Sequence, residues 1–149
     1  MKRLVAVVLA ALLPALALAD ERATTKEAEL LVHRAVGFLK KEGKDKAFAV
    51  FSDPKGAFTY RDLYIVALDQ KSTVLAHGAK KELIGRNDWN AKDADGKFFS
   101  RASVELAMNQ GQGWNEYKWE NPVTHKVENK VAYVERVEDV ILLCGAYKP

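Results

Sequence analysis

At Ala57 the spacing of apolar residues changes, and that change limits what this chain can fold into more than any other feature. Before it, Ala28, Leu31, Val32, Ala35, Phe38 and Leu39 recur every three or four residues, the stripe of a helix with one buried face. After it, Phe58, Tyr60, Asp62, Tyr64, Val66 and Leu68 alternate with Thr59, Arg61, Leu63, Ile65 and Ala67, the period of a strand. A helical stripe followed by strand segments on short turns predicts an α+β domain. Its central antiparallel sheet has about five strands, with a long N-terminal helix on one face.

Local signals place the elements. Thr24-Thr-Lys-Glu27 reads as a capping box, and Lys40, Lys41 and Gly43 suit the end of the same helix. Asp45 is placed to cap a second, short helix carrying Ala47, Phe48, Val50 and Phe51, which Asp53-Pro-Lys-Gly56 ends. Asp69 to Ser72 is a hairpin turn, and Thr73–His77 is its return strand. Gly78 to Lys97 has no strong pattern, a length that in a small domain carries function or short helical turns. Phe98 to Gln110 predicts a third helix with Val104, Ala107 and Met108 on one side. Strands follow at about 113–120, 130–137 and 139–147. The space between the sheet and the 78–110 crossover is the natural pocket.

The N-terminus is a targeting signal by its pattern. Met1-Lys-Arg3 precedes an uncharged run from Leu4 to Ala19 that ends in the small-x-small motif Ala17-Leu-Ala19. The run is shorter than the ~20 residues a bilayer requires, and it contains Pro14. Cleavage after Ala19 is expected, so residues 1–19 are a signal peptide and 20–149 one periplasmic or secreted domain. Losing Lys2 and Arg3 leaves 21 basic and 20 acidic residues, a net +1 in place of +3. A near-neutral domain lacks the basic patch that nucleic-acid binding needs, so no nucleic-acid partner is expected.

Cys144 is the only cysteine, which excludes an internal disulfide, a Cys-x-x-Cys-His haem and a cysteine zinc site. It lies in the apolar run Val140-Ile-Leu-Leu-Cys144 and reads as a buried, inert thiol. His33, His77 and His125 are too scattered to predict a metal site. Asp93-Ala-Asp95-Gly96 lacks the further acidic ligands of a calcium loop and reads as a turn. No Gly-x-Ser-x-Gly, phosphate-binding loop or His-Glu-x-x-His is present, so no catalytic residue and no cofactor is expected.

The densest chemistry lies in Gly111-Gln-Gly-Trp114-Asn-Glu-Tyr117-Lys-Trp119-Glu-Asn-Pro122, with Lys130-Val-Ala-Tyr133 behind it. Aromatic faces beside one fixed cation suit a small pocket for an anionic organic ligand. Tyr117 and Trp119 share a strand face and Trp114 opposes them, so at least one aromatic packs away from a ligand. Tyr117 is the better contact because its hydroxyl can reach a polar pocket. Lys130 needs a counter-ion if its ammonium is buried, and a ligand carboxylate would supply one. Parity separates Tyr133 from Lys130 unless the strand bulges, which ranks Tyr133 lower. Tyr60 and Tyr64 share a face on the first strand. His77, at the end of the return strand, is a candidate donor at the pocket rim.

These segments also resemble a known family. Gly56-Ala-Phe58, Tyr60-Arg-Asp-Leu-Tyr64, Leu75-Ala-His77, Leu83-Ile-Gly85-Arg-Asn87, Asp93-Ala-Asp-Gly96-Lys-Phe98, Gly111–Trp119, Asn121-Pro122, Lys130-Val-Ala-Tyr133-Val134 and Cys144-Gly-Ala-Tyr147 follow, in order and spacing, the pattern of the single Cache domain, second subtype. The resemblance implies a PAS-like fold and a pocket on one sheet face for small organic molecules, often short carboxylates. Such domains usually sit outside the membrane on a chemoreceptor or sensor kinase. This chain, with its cleavable leader and no signalling domain, resembles a stand-alone periplasmic member.

Three readings follow. In the first, the chain is a non-catalytic sensory binding module: Lys130 pairs the ligand carboxylate, Tyr117 and His77 donate hydrogen bonds, and Trp114 or Tyr64 walls the pocket. In the second, the pocket is vestigial, and an exposed apolar stripe on the N-terminal helix forms a homodimer or docks on a membrane sensor or chemoreceptor. The third is an enzyme, which needs an acid–base pair such as Asp62 with His77.

Overall fold

The computed structural model describes residues 22–148; the signal-peptide expectation, on residues 1–19, lies outside them. Helix α1 spans Thr25–Glu42. The predicted capping box is formed: Glu27 N donates to Thr24 Oγ1 and Thr24 N donates to Glu27 Oε2, at 3.2 and 2.8 Å. Gly43, at φ 81°, ends the helix and donates to Leu39 O. Helix α2, Lys44–Phe51, follows directly. Its N-cap is Gly43 and Asp45 lies inside the first turn, which corrects the expected Asp45 cap.

The alternating stretch from Phe58 to Leu68 is not one strand. Arg61 takes a left-handed φ of 55° and turns the chain back on itself. β1 (Thr59–Tyr60) and β2 (Leu63–Tyr64) form a tight hairpin, and β3 (Val66–Asp69) then enters the main sheet. β4 (Val74–His77) returns beside it. The crossover contains one short 3-10 turn, Lys81–Leu83, and then α3, Phe99–Gln110. β5 (Gln112–Glu120), β6 (Val127–Val137) and β7 (Val140–Lys148) complete the fold.

The main sheet has five antiparallel strands in the order β4-β3-β7-β6-β5. α1 covers one face. Ala28, Leu31, Val32, Ala35 and Leu39 pack there against Ile65, Ala67, Tyr133, Leu142 and Cys144. Each buried Leu or Val contributes about 1.5–3 kcal/mol, so this stripe is a main source of stability. α3 and the 78–98 segment cover the other face, where Phe99, Val104 and Ala107 meet Val66, Leu68, Tyr117, Val134 and Leu143. Met108 is exposed, because the buried side of α3 runs through Phe99, Ser100, Ser103, Val104 and Ala107 instead.

Two polar devices tie the irregular segments to this frame. Asp93 Oδ1 accepts from Asp95 N and Lys97 N, and its Oδ2 accepts from Lys118 N on β5. The predicted turn is therefore a clamp between crossover and sheet. Asp62, fully buried in the β1–β2 turn, accepts from Ala23 N at 2.8 Å and from Asn121 Nδ2 at 3.3 Å. It joins the start of α1 to the β5–β6 connection.

Candidate ligand-binding site

A cavity of about 30 Å³ lies between the sheet and α3, bounded by Tyr64, His77, Asp88, Ser100, Tyr117 and Lys130 among others. That is room for roughly two waters before any side chain moves. Sheet register explains which residues meet there. β6 runs regularly beside both neighbours, with Lys130 opposite Tyr117 on β5 and Tyr147 on β7. Directly opposed residues in a ladder share a face, so these three side chains are brought together. A register shift where β3 meets β4 puts His77 opposite Val66 and Val74 opposite Leu68. That shift lets His77 and Val74, three residues apart, both line the cavity.

Lys130 is 1% exposed. Its stem crosses Gly145, where a Cβ would come within 2.7 Å of Lys130 Cγ. Its Nζ donates to Tyr64 Oη at 3.1 Å, which contacts Tyr147 Oη at 3.2 Å, and Tyr147 Oη in turn donates to Glu120 O at 2.9 Å. The ammonium also sits 4.3, 5.4 and 5.9 Å from the ring centres of Tyr64, Tyr147 and Tyr117. Burial disfavours the charge, but the Tyr117 and Tyr64 oxygens hold the proton above lysine's ordinary value. Burial pushes the Tyr117 and Tyr147 hydroxyls upward too. At neutral pH the Tyr117 and Tyr147 hydroxyls are uncharged, and among the described residues the ammonium has polar and aromatic neighbours but no anion. Asp88, the acidic residue on the cavity wall, is already paired: its Oδ1 and Oδ2 accept from Arg86 Nε and Nη2 at 2.5 and 3.1 Å.

His77 is fixed as one tautomer. Its Nδ1 accepts from Ala79 N and Lys80 N at 3.2 and 2.9 Å, so the ring proton is on Nε2. Burial, with Lys130, Lys80 and Arg86 nearby, depresses its pKa to about 3, so the ring is neutral. It stacks on Tyr64 with centroids 5.0 Å apart. The site thus offers one cation, a neutral imidazole donor and phenols inside apolar walls, an arrangement suited to a small anion.

Of the residues expected from sequence, Lys130, Tyr117, His77 and Tyr64 meet at this cavity. Three others do not, which corrects their expected place. Tyr60 is 48% exposed beside Leu30 and Arg34, because the Arg61 turn breaks the parity that tied it to Tyr64. Trp114 is 44% exposed and points to the α1 side of the sheet, where its ring meets Tyr133 edge-on at 5.1 Å. Tyr133 packs in the α1 core and its Oη lies 3.3 Å from His33 Nε2. β6 has no bulge to bring Tyr133 round to the Lys130 face. Sequence reasoning passed over Tyr147, Asp88, Phe99, Ser100 and Trp119 as site residues. Tyr147 shares parity with Gly145 on its strand and was findable once the β6–β7 register was known. The residues on α3 and the crossover carry no such signal.

The family model for single Cache domain 2 matches residues 2–148. This chain belongs to that family. Solved structures agree with the Cache fold. A methyl-accepting chemotaxis protein from Vibrio parahaemolyticus superposes with a TM-score of 0.72 at 23% identity, covering 88% of this chain and 91% of that one. The periplasmic sensor domain of a chemotaxis protein gives 0.68 at 20% identity, covering 88% and 94%. A Cache chemosensory domain studied for carboxylic acid recognition gives 0.66 at 20% identity, covering 83% and 88%. At these identities the likeness is one of fold. Among the described residues of this Cache domain, no helix is long and apolar enough to cross a membrane.

Proposed function

We propose that this Cache domain is a periplasmic, non-catalytic sensory module that binds a short organic carboxylate. The observation that carries the reading is Lys130: a fully buried ammonium at a cavity, hydrogen-bonded to a phenol and, among the described residues, lacking an anionic neighbour. A ligand carboxylate would complete it with a charge-assisted bond, while His77 Nε2–H donates to the second oxygen. The carboxylic acid recognition of one structural neighbour is consistent with this chemistry.

The rival readings have less support. The apolar stripe of α1 is spent on the sheet, with Leu30 as its exposed large residue, which leaves little for a partner helix. Asp62 and His77 belong to separate networks, so the acid–base pair that an enzyme needs is not formed.

Size bounds the affinity. At a ceiling of about −1.5 kcal/mol per heavy atom, acetate reaches roughly −6 kcal/mol, or tens of micromolar. The test is a thermal-shift screen of the purified protein against short carboxylates, amino acids and amines, beside Lys130→Ala. A rise in Tm with a carboxylate that vanishes in the variant supports the reading, since a ligand of the native state must stabilise it. A folded protein that shifts with none of them refutes it.

A further inference from the structure

The cavity beside Lys130 is too small for any organic acid as it stands, with room for roughly two waters. A wall must therefore move before a ligand reaches the lysine. The walls differ in what holds them. The sheet side is fixed by its ladders. On the α3 side, Phe99 O accepts from Asn115 Nδ2 at 3.0 Å and from Ser103 Oγ at 3.2 Å. The crossover behind Leu83 and Asp88 is tied through its backbone to β4 and the turn before it. Val74 N donates to Arg86 O at 2.9 Å, Gly85 N to Val74 O at 2.8 Å and Asp88 N to Ser72 O at 2.9 Å.

Trp119 is held differently. It is the penultimate residue of β5, an outer strand of the sheet, and its side chain is only partly buried. The ring rests on Phe99, with centroids 5.0 Å apart and planes tilted by 47°. A partly exposed side chain can change rotamer while every backbone bond around it stays formed. Outside the ring lies a groove of about 220 Å³, lined by Lys80, Lys92, Lys118, Glu120 and Val127 among others. Among the described residues, Trp119 is the one that lines both this groove and the Lys130 cavity. A groove of about 360 Å³ around Trp89 and Asn90, next along the crossover, shares no lining residue with the cavity.

We propose that Trp119 is the gate of the Lys130 cavity. Its indole closes the route from the outer groove, and a rotamer change opens that route while sheet, α3 and crossover stay in place. The groove is then where a ligand first docks, and the aperture left by one indole admits only small molecules. The proposal rests on the cavity being a ligand site and is independent of the ligand's class.

A reporter thiol inside the cavity tests it. Ser100 lines the α3 side and is 3% exposed, and Ser100→Cys exchanges one oxygen for sulfur. Cys144, buried on the α1 side of the sheet, is an internal control in the same molecule. Iodoacetamide alkylates whichever thiol it reaches, the thiolate sulfur displacing iodide, and peptide mass spectrometry times each position. The introduced thiol is expected to react about tenfold or more faster than Cys144, because a local opening needs less free energy than unfolding. Adding Trp119→Ala should raise that rate again by about tenfold and leave Cys144 unchanged, since only the local opening is removed as a barrier. Trp119→Phe, which keeps an aromatic contact with Phe99, should lie between the two and carries the test if the alanine variant does not fold. Trp89→Ala should change neither rate. Equal rates at the two thiols, no acceleration in the Trp119 variants, or faster labelling with Trp89→Ala overturns the gate. So does acceleration of Cys144 in step, which would mean a loosened fold. No ligand is used, so failure of the gate and failure of the carboxylate screen are read separately.

Discussion

Replacing Lys130 by methionine separates a binding role from a structural one. Methionine keeps most of the stem over Gly145 and removes the ammonium. That ammonium is buried with one protein hydrogen bond, to Tyr64 Oη, and three aromatic faces. Desolvation of a buried ion costs several kcal/mol, a charged hydrogen bond returns about 1.5–3, and desolvated cation–π contact about 2. The balance predicts that Lys130→Met leaves the empty protein equally stable or up to about 2 kcal/mol more stable. For a domain of this size that is a Tm gain of up to roughly 8 °C. Carboxylate binding should fall about 10- to 150-fold, the worth of the lost charge-assisted bond. Urea denaturation gives the first number and calorimetric titration the second. In ligand at 100 times its Kd, the wild type gains about 2.7 kcal/mol and the weakened variant far less, so the order of stabilities reverses or closes. A variant clearly less stable than wild type when empty, with undiminished binding, would refute the reasoning and make Lys130 a structural strut.

The remaining predictions test the surroundings. Gly145→Ala sets a Cβ within 2.7 Å of Lys130 Cγ and 3.1 Å of the Ala132 backbone. It should cost about 1–3 kcal/mol by chemical denaturation and weaken carboxylate binding by displacing the lysine stem. His77 has a pKa depressed to about 3, so between there and about 6.5 the unfolded chain binds more protons than the native one. Stability contributed by the neutral ring is present above about 6.5 and falls away as pH drops toward 3, by up to about 4–5 kcal/mol. His77→Gln should flatten that slope in urea midpoints measured across the window. Asp62, whose pKa burial raises, acts with the opposite sign, and comparing variant with wild type cancels it. Cys144 is fully buried and its thiol is pushed up to about 12 by burial, so native protein should react with a thiol reagent only at the rate it opens. Stoichiometric labelling within minutes under native conditions would count against this.

Much of the fold was legible because period and capping are local physics. The stripe from Ala28 to Leu39 could bury one side only as a helix, and Thr24 with Glu27 marked where it begins. The same held for β5–β7, where parity alone set Trp114 against Tyr117 and Lys130 against Tyr133, as the ladders show. Parity failed between Tyr60 and Tyr64 because alternation reports burial and not chain direction. The Arg61 turn keeps the pattern apolar–polar while it reverses the strand.

By itself, then, the sequence determined the α+β class, the order of the helices and of the five main-sheet strands, and which residues of a given strand share a face, because each follows from near neighbours along the chain. Tertiary structure alone decided that Lys130 meets Tyr64 and Tyr147, that the β3–β4 shift turns His77 inward, and that Ser100 comes to the cavity wall. Those are meetings across tens of residues. They depend on register between strands and on how a helix is laid over a sheet, where the energy comes from close packing that no local pattern encodes.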